Sequence, residues 1–115
     1  MKLVAPSRPI AARAFNHGIL HYIRRDYDAA HRSFTKSILE APDRLQNRYW
    51  QVVTEIAQGN EEHAYKHVRR LVAMRKQKHY RNFLGYEDVL ESLERVQGPV
   101  RRTLQKLERR AFLEE

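Results

Sequence analysis

Four of the six histidines form two pairs whose members are four residues apart, His17 with His21 and His63 with His67. This spacing places both imidazoles of a pair on one side of a helix, where two nitrogens can face one metal ion. Zinc proteases with this spacing need a glutamate after the first histidine, but glycine and alanine stand there. Two imidazoles leave a metal half bound unless other ligands converge, and the chain has no cysteine. We therefore predict no metal site, no cofactor, and imidazoles that pack or lie at the surface.

A second feature that could carry chemistry is the basic run from Lys66 to Arg81, which contains no acidic residue, includes Tyr80 and lies close to Phe83. Cations beside aromatic rings are what single-stranded nucleic acid requires, because phosphates bind the cations and bases stack on the rings. A solvated helix face and a surface for an acidic protein explain the same run, so all three interpretations stay open. The predicted basic patch consists of Lys66, Arg69, Arg70, Arg75, Lys76, Lys78 and Arg81.

Five more basic residues lie near the C-terminus, and they have two possible roles. They either enlarge the basic patch or neutralise the acidic face of a helix predicted from Tyr86 to Val96. These residues are Arg101, Arg102, Lys106, Arg109 and Arg110.

The sequence contains no pattern typical of an enzyme. A nucleophile elbow, a glycine-rich phosphate loop and a dinucleotide fingerprint are all missing. The carboxylates are scattered on predicted outer faces and are not paired in an apolar setting, where their pKa values would be driven apart. We predict that the protein is not an enzyme.

The overall composition favours an all-α protein. The 115 residues are 42% hydrophobic and 31% charged, with only four Gly and four Pro to interrupt helices. No run is apolar enough to span a membrane. The absence of cysteine leaves the redox compartment unconstrained, and a cytoplasmic location is the default expectation. The first 25 residues are basic without an acid, a composition that an organelle-targeting segment shares. The net charge of +8 favours acidic partners.

Apolar residues at three-and-four spacing predict five or six antiparallel helices joined by short turns. We expect an extended lead-in over residues 1–9 and a single helical domain over residues 10–115. The helices should pair as hairpins over about 10–42, 43–76 and 79–113, with breaks at Pro42, Gly59 and Gly98. The stretch 76–85 mixes basic and aromatic residues and fits either a helix or a loop.

The first two hairpins are related by a shift of 34 residues. The helix start at Asp26 falls on Asn60, and the apolar positions of each helix fall on apolar positions. The matched pairs are Ala30 with Ala64, Phe34 with Val68, Ile38 with Val72, Phe15 with Tyr49, Gly18 with Val52, Ile19 with Val53, and Tyr22 with Ile56. Gly18 and Ala30 are small where two helices must approach closely, and Phe34 fills the space toward the next hairpin.

This unit resembles the tetratricopeptide repeat, since Gly18, Ala30, Phe34 and Pro42 stand at that family's mutual spacings. The chain departs from the pattern at Ala14, His17 and His21, where the family has Trp, Leu and Tyr. The resemblance implies helical hairpins stacked as a short right-handed solenoid. It also implies a concave groove, lined by the first helix of each hairpin, that holds a peptide.

From the resemblance we predict a non-catalytic adaptor that binds a peptide or helix of another protein. Family members that grip acidic chaperone tails place Lys and Asn where this chain has Phe15 and Ile19, so such a tail is not the expected ligand. The alternatives are a nucleic-acid binder that uses the basic patch, and a module that associates with itself. The predicted groove residues are Phe15, Ile19, Tyr22, Gln46, Tyr49, Val53 and Phe83.

Overall fold

The protein is all-α, as the composition and periodicity predict. We use a computed structural model that describes residues 8–77, 91, 96 and 98–114. The described residues include no strand and form five helices. These helices are α1 (Arg8–Ile23), α2 (Tyr27–Glu40), α3 (Leu45–Ala57), α4 (Glu61–Arg75) and α5 (Gly98–Leu113).

The boundaries follow the predicted breaks with one shift. Helix α1 begins at Arg8 and so includes the last two residues of the predicted lead-in. Helix α2 ends before Pro42, with the Ala41 N–H donating to the Ser37 carbonyl as its last bond. Helix α4 ends at Arg75, and Lys76 caps it. Apart from residues 91 and 96, the first half of the predicted hairpin 79–113 lies outside the described residues, and with it the helix-or-loop question over residues 78–85.

The turns inside the two hairpins have the same construction at positions 34 residues apart. Arg25 and Gly59 both adopt left-handed backbone angles, with φ of 64° and 82°. Each turn closes through a 6→1 and a 5→2 hydrogen bond, the arrangement of a Schellman motif. The bonds run from Asp26 N–H to His21 and from Arg25 N–H to Tyr22 in the first turn, and from Asn60 N–H to Glu55 and from Gly59 N–H to Ile56 in the second. The repeat predicted from sequence is therefore present in the backbone.

Equivalent residues also have equivalent surroundings in the core. Ala30 and Ala64 are fully buried, as are Phe34 and Val68. Gly18 lies directly under the Phe34 ring, because a Cβ atom built on Gly18 would stand only 2.5 Å from the ring. Close approach of α1 and α2 thus depends on the small residue, as the sequence predicts.

Helix α3 is the centre of the molecule, since it contacts α2, α4 and α5. Its Trp50 lies against Phe34 with ring centroids 5.8 Å apart, and meets Phe15 and Tyr22 edge to face. These rings join the first hairpin to the second. Among the described residues, no helix has both the length and the apolar character needed to cross a membrane.

Candidate binding surfaces and a histidine–glutamate cluster

Three of the predicted groove residues lie in the core. Tyr49 and Val53 are fully buried and Tyr22 is nearly so, because α3 is covered on several sides and α1 turns Tyr22 toward Trp50. None of the three offers a surface to a peptide in this structure, which corrects the prediction at these positions. Phe83 lies outside the described residues.

The Tyr49 hydroxyl takes part in a buried hydrogen-bond network that its position in the 34-residue repeat does not predict. Its hydroxyl donates to Glu108 Oε1 at 2.5 Å, and Arg75 Nη1 donates to the same carboxylate at 2.7 and 3.0 Å. Burial raises the pKa of Glu108, although the hydrogen bonds from Tyr49 and Arg75 oppose the rise. This network joins α3, α4 and α5. Arg75 is engaged in it and is only partly exposed, unlike the other described residues of the predicted basic patch.

The remaining predicted groove residues leave an apolar stripe on α1. Phe15 and Ile19 are half-buried, and Ile23 continues the stripe at the same four-residue spacing with 52% of its surface exposed. Leu20 beside them is 49% exposed. Gln46 of α3 is half-buried as well. Helix α1 contains no acidic residue. Arg24 and Arg25 follow Ile23 in the chain and are exposed, as is Arg13, which lies at the cleft against α2.

The predicted basic patch is exposed at four described positions, and α5 adds to it. Lys66, Arg69, Arg70 and Lys76 all lie at the surface of α4, whereas Lys78 and Arg81 lie outside the described residues. Helix α5 packs on α4 and exposes Arg102, Lys106, Arg109 and Arg110. Arg110 stacks on the Tyr65 ring of α4, 3.9 Å from its centroid. These contacts put the cations of α5 beside the predicted patch.

The structure also brings together side chains that the sequence separates by up to 36 positions. Glu55 of α3 is buried between α2 and α4. Its Oε2 accepts from His31 Nε2 at 3.1 Å, and its Oε1 accepts from His67 Nδ1 at 2.8 Å. His63 Nε2 lies 4.0 Å from Oε2, and its ring meets His67 edge to face with centroids 5.1 Å apart. We call these four residues the histidine–glutamate cluster.

The electrostatics of the cluster favour an ionised carboxylate. Burial alone would raise the pKa of Glu55, but hydrogen bonds and charge from His67 and His31 outweigh burial and hold this pKa below its usual value. The four-residue spacing singles out His63 and His67 as a pair, but no sequence pattern assigned Glu55 or His31 to the same cluster. A signal was present, because Glu55 is the one acid in the predominantly apolar α3.

The other histidine pair has no such surroundings. His17 lines an open cleft of about 310 Å³ between α1 and α2, together with Ile10, Arg13, Ala14, Ser33 and Lys36. None of these lining residues is acidic, and two are cations. The two pairs have the same spacing, but among the described residues the second pair has a carboxylate within 4.0 Å and the first pair does not.

Comparisons with known proteins found no match. No protein-family model, curated protein or solved structure matches the chain.

Proposed function

We propose that this protein is a non-catalytic interaction module of tetratricopeptide-like hairpins, and that it binds an amphipathic helix of a partner protein along α1. The observation that carries the proposal is the stripe of Phe15, Ile19 and Ile23 on a helix without acids. Helix α2 covers one side of α1, and Phe15 and Ile19 pack partly against the core. Leu20 and Ile23 remain accessible. Apolar anchors at four-residue spacing are what helix recognition uses.

The chemistry of the surface specifies the partner. Burying an aliphatic side chain contributes about 1.5–3 kcal/mol when it goes from exposed to buried, so the half-exposed Leu20 and Ile23 together offer about as much as one such side chain. The exposed Arg24 and Arg25 follow Ile23 directly in the chain, and Arg13 is exposed two turns before Leu20. Matching charges raise the association rate and reject basic partners. The partner helix should therefore be apolar on one face and acidic at its edges.

The test is capture of partner proteins from the native host lysate by an immobilised chain. The variant Leu20→Asp/Ile23→Asp should lose the captured protein, because it replaces both accessible apolar side chains with like charge to the partner. The matched control is Leu39→Asp/Leu113→Asp, which carries the same change at two residues that are 74% and 80% exposed on other helices. The control should capture normally, with and without nuclease.

Two results would contradict the proposal. One is an identical set of captured proteins for both double variants. The other is a chain that dimerises through α1, which sedimentation at two concentrations would show if Leu20→Asp/Ile23→Asp abolished the dimer.

A nucleic-acid binder is the second candidate, favoured by the exposed cations that α4 and α5 place side by side. Binding to fluorescent single-stranded and double-stranded oligonucleotides should weaken steeply as salt rises. Arg69→Glu/Arg70→Glu should abolish it, whereas Arg24→Glu/Lys36→Glu, with the same change in net charge on the first hairpin, should retain most of it. Absence of binding at low salt would remove this candidate.

A further inference from the structure

The histidine–glutamate cluster contains more donors than a buried carboxylate needs. His31 and His67 each donate to one oxygen of Glu55, so both oxygens have a partner. His63 makes no hydrogen bond to a described residue, yet it turns Nε2 toward the same carboxylate at 4.0 Å. Satisfying Glu55 explains two of the imidazoles and leaves the third without a role.

We propose that Glu55, His63 and His67 bind a divalent transition-metal ion, with zinc as the expected occupant. One donor atom from each residue lies within 4.8 Å of the other two. Donors around a tetrahedral zinc ion with bonds of about 2.0–2.1 Å are about 3.3 Å apart. His67 Nδ1 lies 2.8 Å from Glu55 Oε1, and His63 Nε2 lies 4.0 Å from the other oxygen, Oε2, so the two distances lie on either side of that value. A metal at this site would draw the three donor atoms, now within 4.8 Å of one another, to about 3.3 Å.

The elements hold these donors in place before a metal arrives. His63 and His67 are one turn apart on α4, so both rings project from the same side of the helix. Glu55 is buried in α3, and the turn at Gly59 folds α4 back on α3. The site thus spans one hairpin, and its formation does not depend on residues outside the described part of the chain.

The donor set determines the class of ion. Two imidazole nitrogens and one carboxylate suit zinc and its neighbours among the transition metals, whereas magnesium and calcium prefer oxygen donors. Three protein ligands leave a fourth position, and His63, with 57% of its side chain exposed, places the site next to solvent. A water molecule can fill that position. A metal here would fasten α3 to α4.

His31 acts as a positioning residue in this proposal. It reaches from α2 to the second oxygen of Glu55 at 3.1 Å and so fixes the orientation of the carboxylate. Such outer hydrogen bonds usually change metal affinity by about 10–100-fold when they are removed. His31 also connects the proposed site to the first hairpin, because α2 belongs to that hairpin.

The test is calorimetric titration of the full chain with zinc chloride after removal of metals with EDTA. One zinc ion should bind per chain. His63→Ala should weaken binding by more than about 100-fold, and His31→Ala by about 10–100-fold. His63 is the primary variant because its side chain is largely exposed and makes no hydrogen bond to a described residue, so the metal-free melting temperature should not change. Zinc should raise the melting temperature of the original chain and not that of His63→Ala.

The matched control is His17→Ala/His21→Ala, which removes a histidine pair of identical spacing that has no ion pair with a described carboxylate. This control should bind zinc like the original chain. The proposal is overturned by failure to bind zinc, by unchanged binding in His63→Ala, or by an equal loss in the control. Each of these results leaves the proposed partner surface on α1 intact, because Leu20 and Ile23 lie on another helix.

Discussion

Two buried tyrosines differ in whether the hydroxyl has a partner. Tyr49 donates to Glu108 and accepts from Arg75. The Tyr22 hydroxyl is buried without a hydrogen-bond partner among the described residues. A buried polar group without a partner costs free energy, whereas removing one partner of a buried charge leaves that charge less well satisfied.

We expect opposite effects from the same substitution at these two positions. Tyr49→Phe should lower the free energy of unfolding by about 1–3 kcal/mol, because Glu108 loses a donor in the core. Tyr22→Phe should leave it unchanged or raise it by up to about 1 kcal/mol. Urea unfolding followed by circular dichroism measures both. Equal losses for the two variants would contradict the assignment of their hydroxyls.

The same tyrosines predict sensitivity to alkaline pH. Burial raises the pKa of Tyr22 and of Tyr49 well above the ordinary value, with Tyr27 adding to the shift of Tyr22 and Glu108 to that of Tyr49. A group whose pKa is higher in the folded state contributes its full stability below the unfolded pKa, here about 10, and loses it as the pH rises further. Stability should therefore decline above about pH 10.

Absorbance of tyrosinate and far-ultraviolet circular dichroism, recorded on the same samples from pH 8 to 12.5, test this prediction. Part of the tyrosinate signal should appear only as the helical signal is lost. If all six tyrosines ionise near pH 10 while the helices persist, the burial of these hydroxyls is wrong.

Whether Gly18→Ala stabilises or destabilises the protein depends on tertiary packing. In an isolated helix Gly→Ala stabilises by about 1 kcal/mol. Here the new methyl group would meet Phe34 Cε1 at 2.5 Å, so Gly18→Ala should destabilise by about 1–3 kcal/mol as the ring is forced aside. Gly98→Ala is the control, since its nearest neighbour is the flexible end of Arg102 at 3.2 Å. Thermal unfolding that ranks Gly18→Ala as the more stable variant would contradict the close contact.

At the scale of elements, the two hairpin turns have the same geometry but different residues at the left-handed position. Gly59 meets the requirement without strain, whereas Arg25 adopts φ of 64° with a side chain. Arg25→Gly should therefore stabilise the protein by about 0.5–1 kcal/mol. Gly59→Ala should destabilise it by about 1–2 kcal/mol for conformational reasons alone, since no atom lies within 4 Å of the added Cβ.

Urea midpoints of these two variants check whether the turns are equivalent. If Arg25→Gly lowered the midpoint, Arg25 would owe its conformation to side-chain contacts, and the backbone repeat would not explain the first turn.

Some features of the helices could be predicted from the sequence, and others could not. Helix positions, the break before Pro42 and the small residue at Gly18 follow from local spacing, and the structure has them at those places. The outward orientation predicted for Tyr49 was wrong because its hydrogen-bond partner, Glu108, is 59 residues away. No local pattern contains that pairing.

The candidate metal site could not be predicted from the sequence for the same reason. The four-residue spacing of His63 and His67 predicts only that both lie on the same side of a helix. Glu55 and His31 come from two other helices, and their convergence depends on how the hairpins stack. The 34-residue repeat predicts that the hairpins are alike, but it does not say which side chains meet between them.

At the scale of the whole molecule, stacking gives the hairpins different surfaces. The first hairpin exposes Leu20 and Ile23 of α1, while α4 and α5 expose cations. Between them, α3 supplies Trp50 to the aromatic core, Tyr49 to the network with α5, and Glu55 to the histidines of α2 and α4. Helix α3 is therefore the element on which both the fold and the proposed metal site depend.

The most direct test of this arrangement is a crystal structure of the zinc-soaked chain with anomalous data collected at the zinc edge. We predict one strong peak at bonding distance, about 2.0–2.2 Å, from Glu55, His63 and His67, with the turns at Arg25 and Gly59 superimposable. A map without density between α3 and α4, or a peak at His17 and His21 instead, would contradict the account.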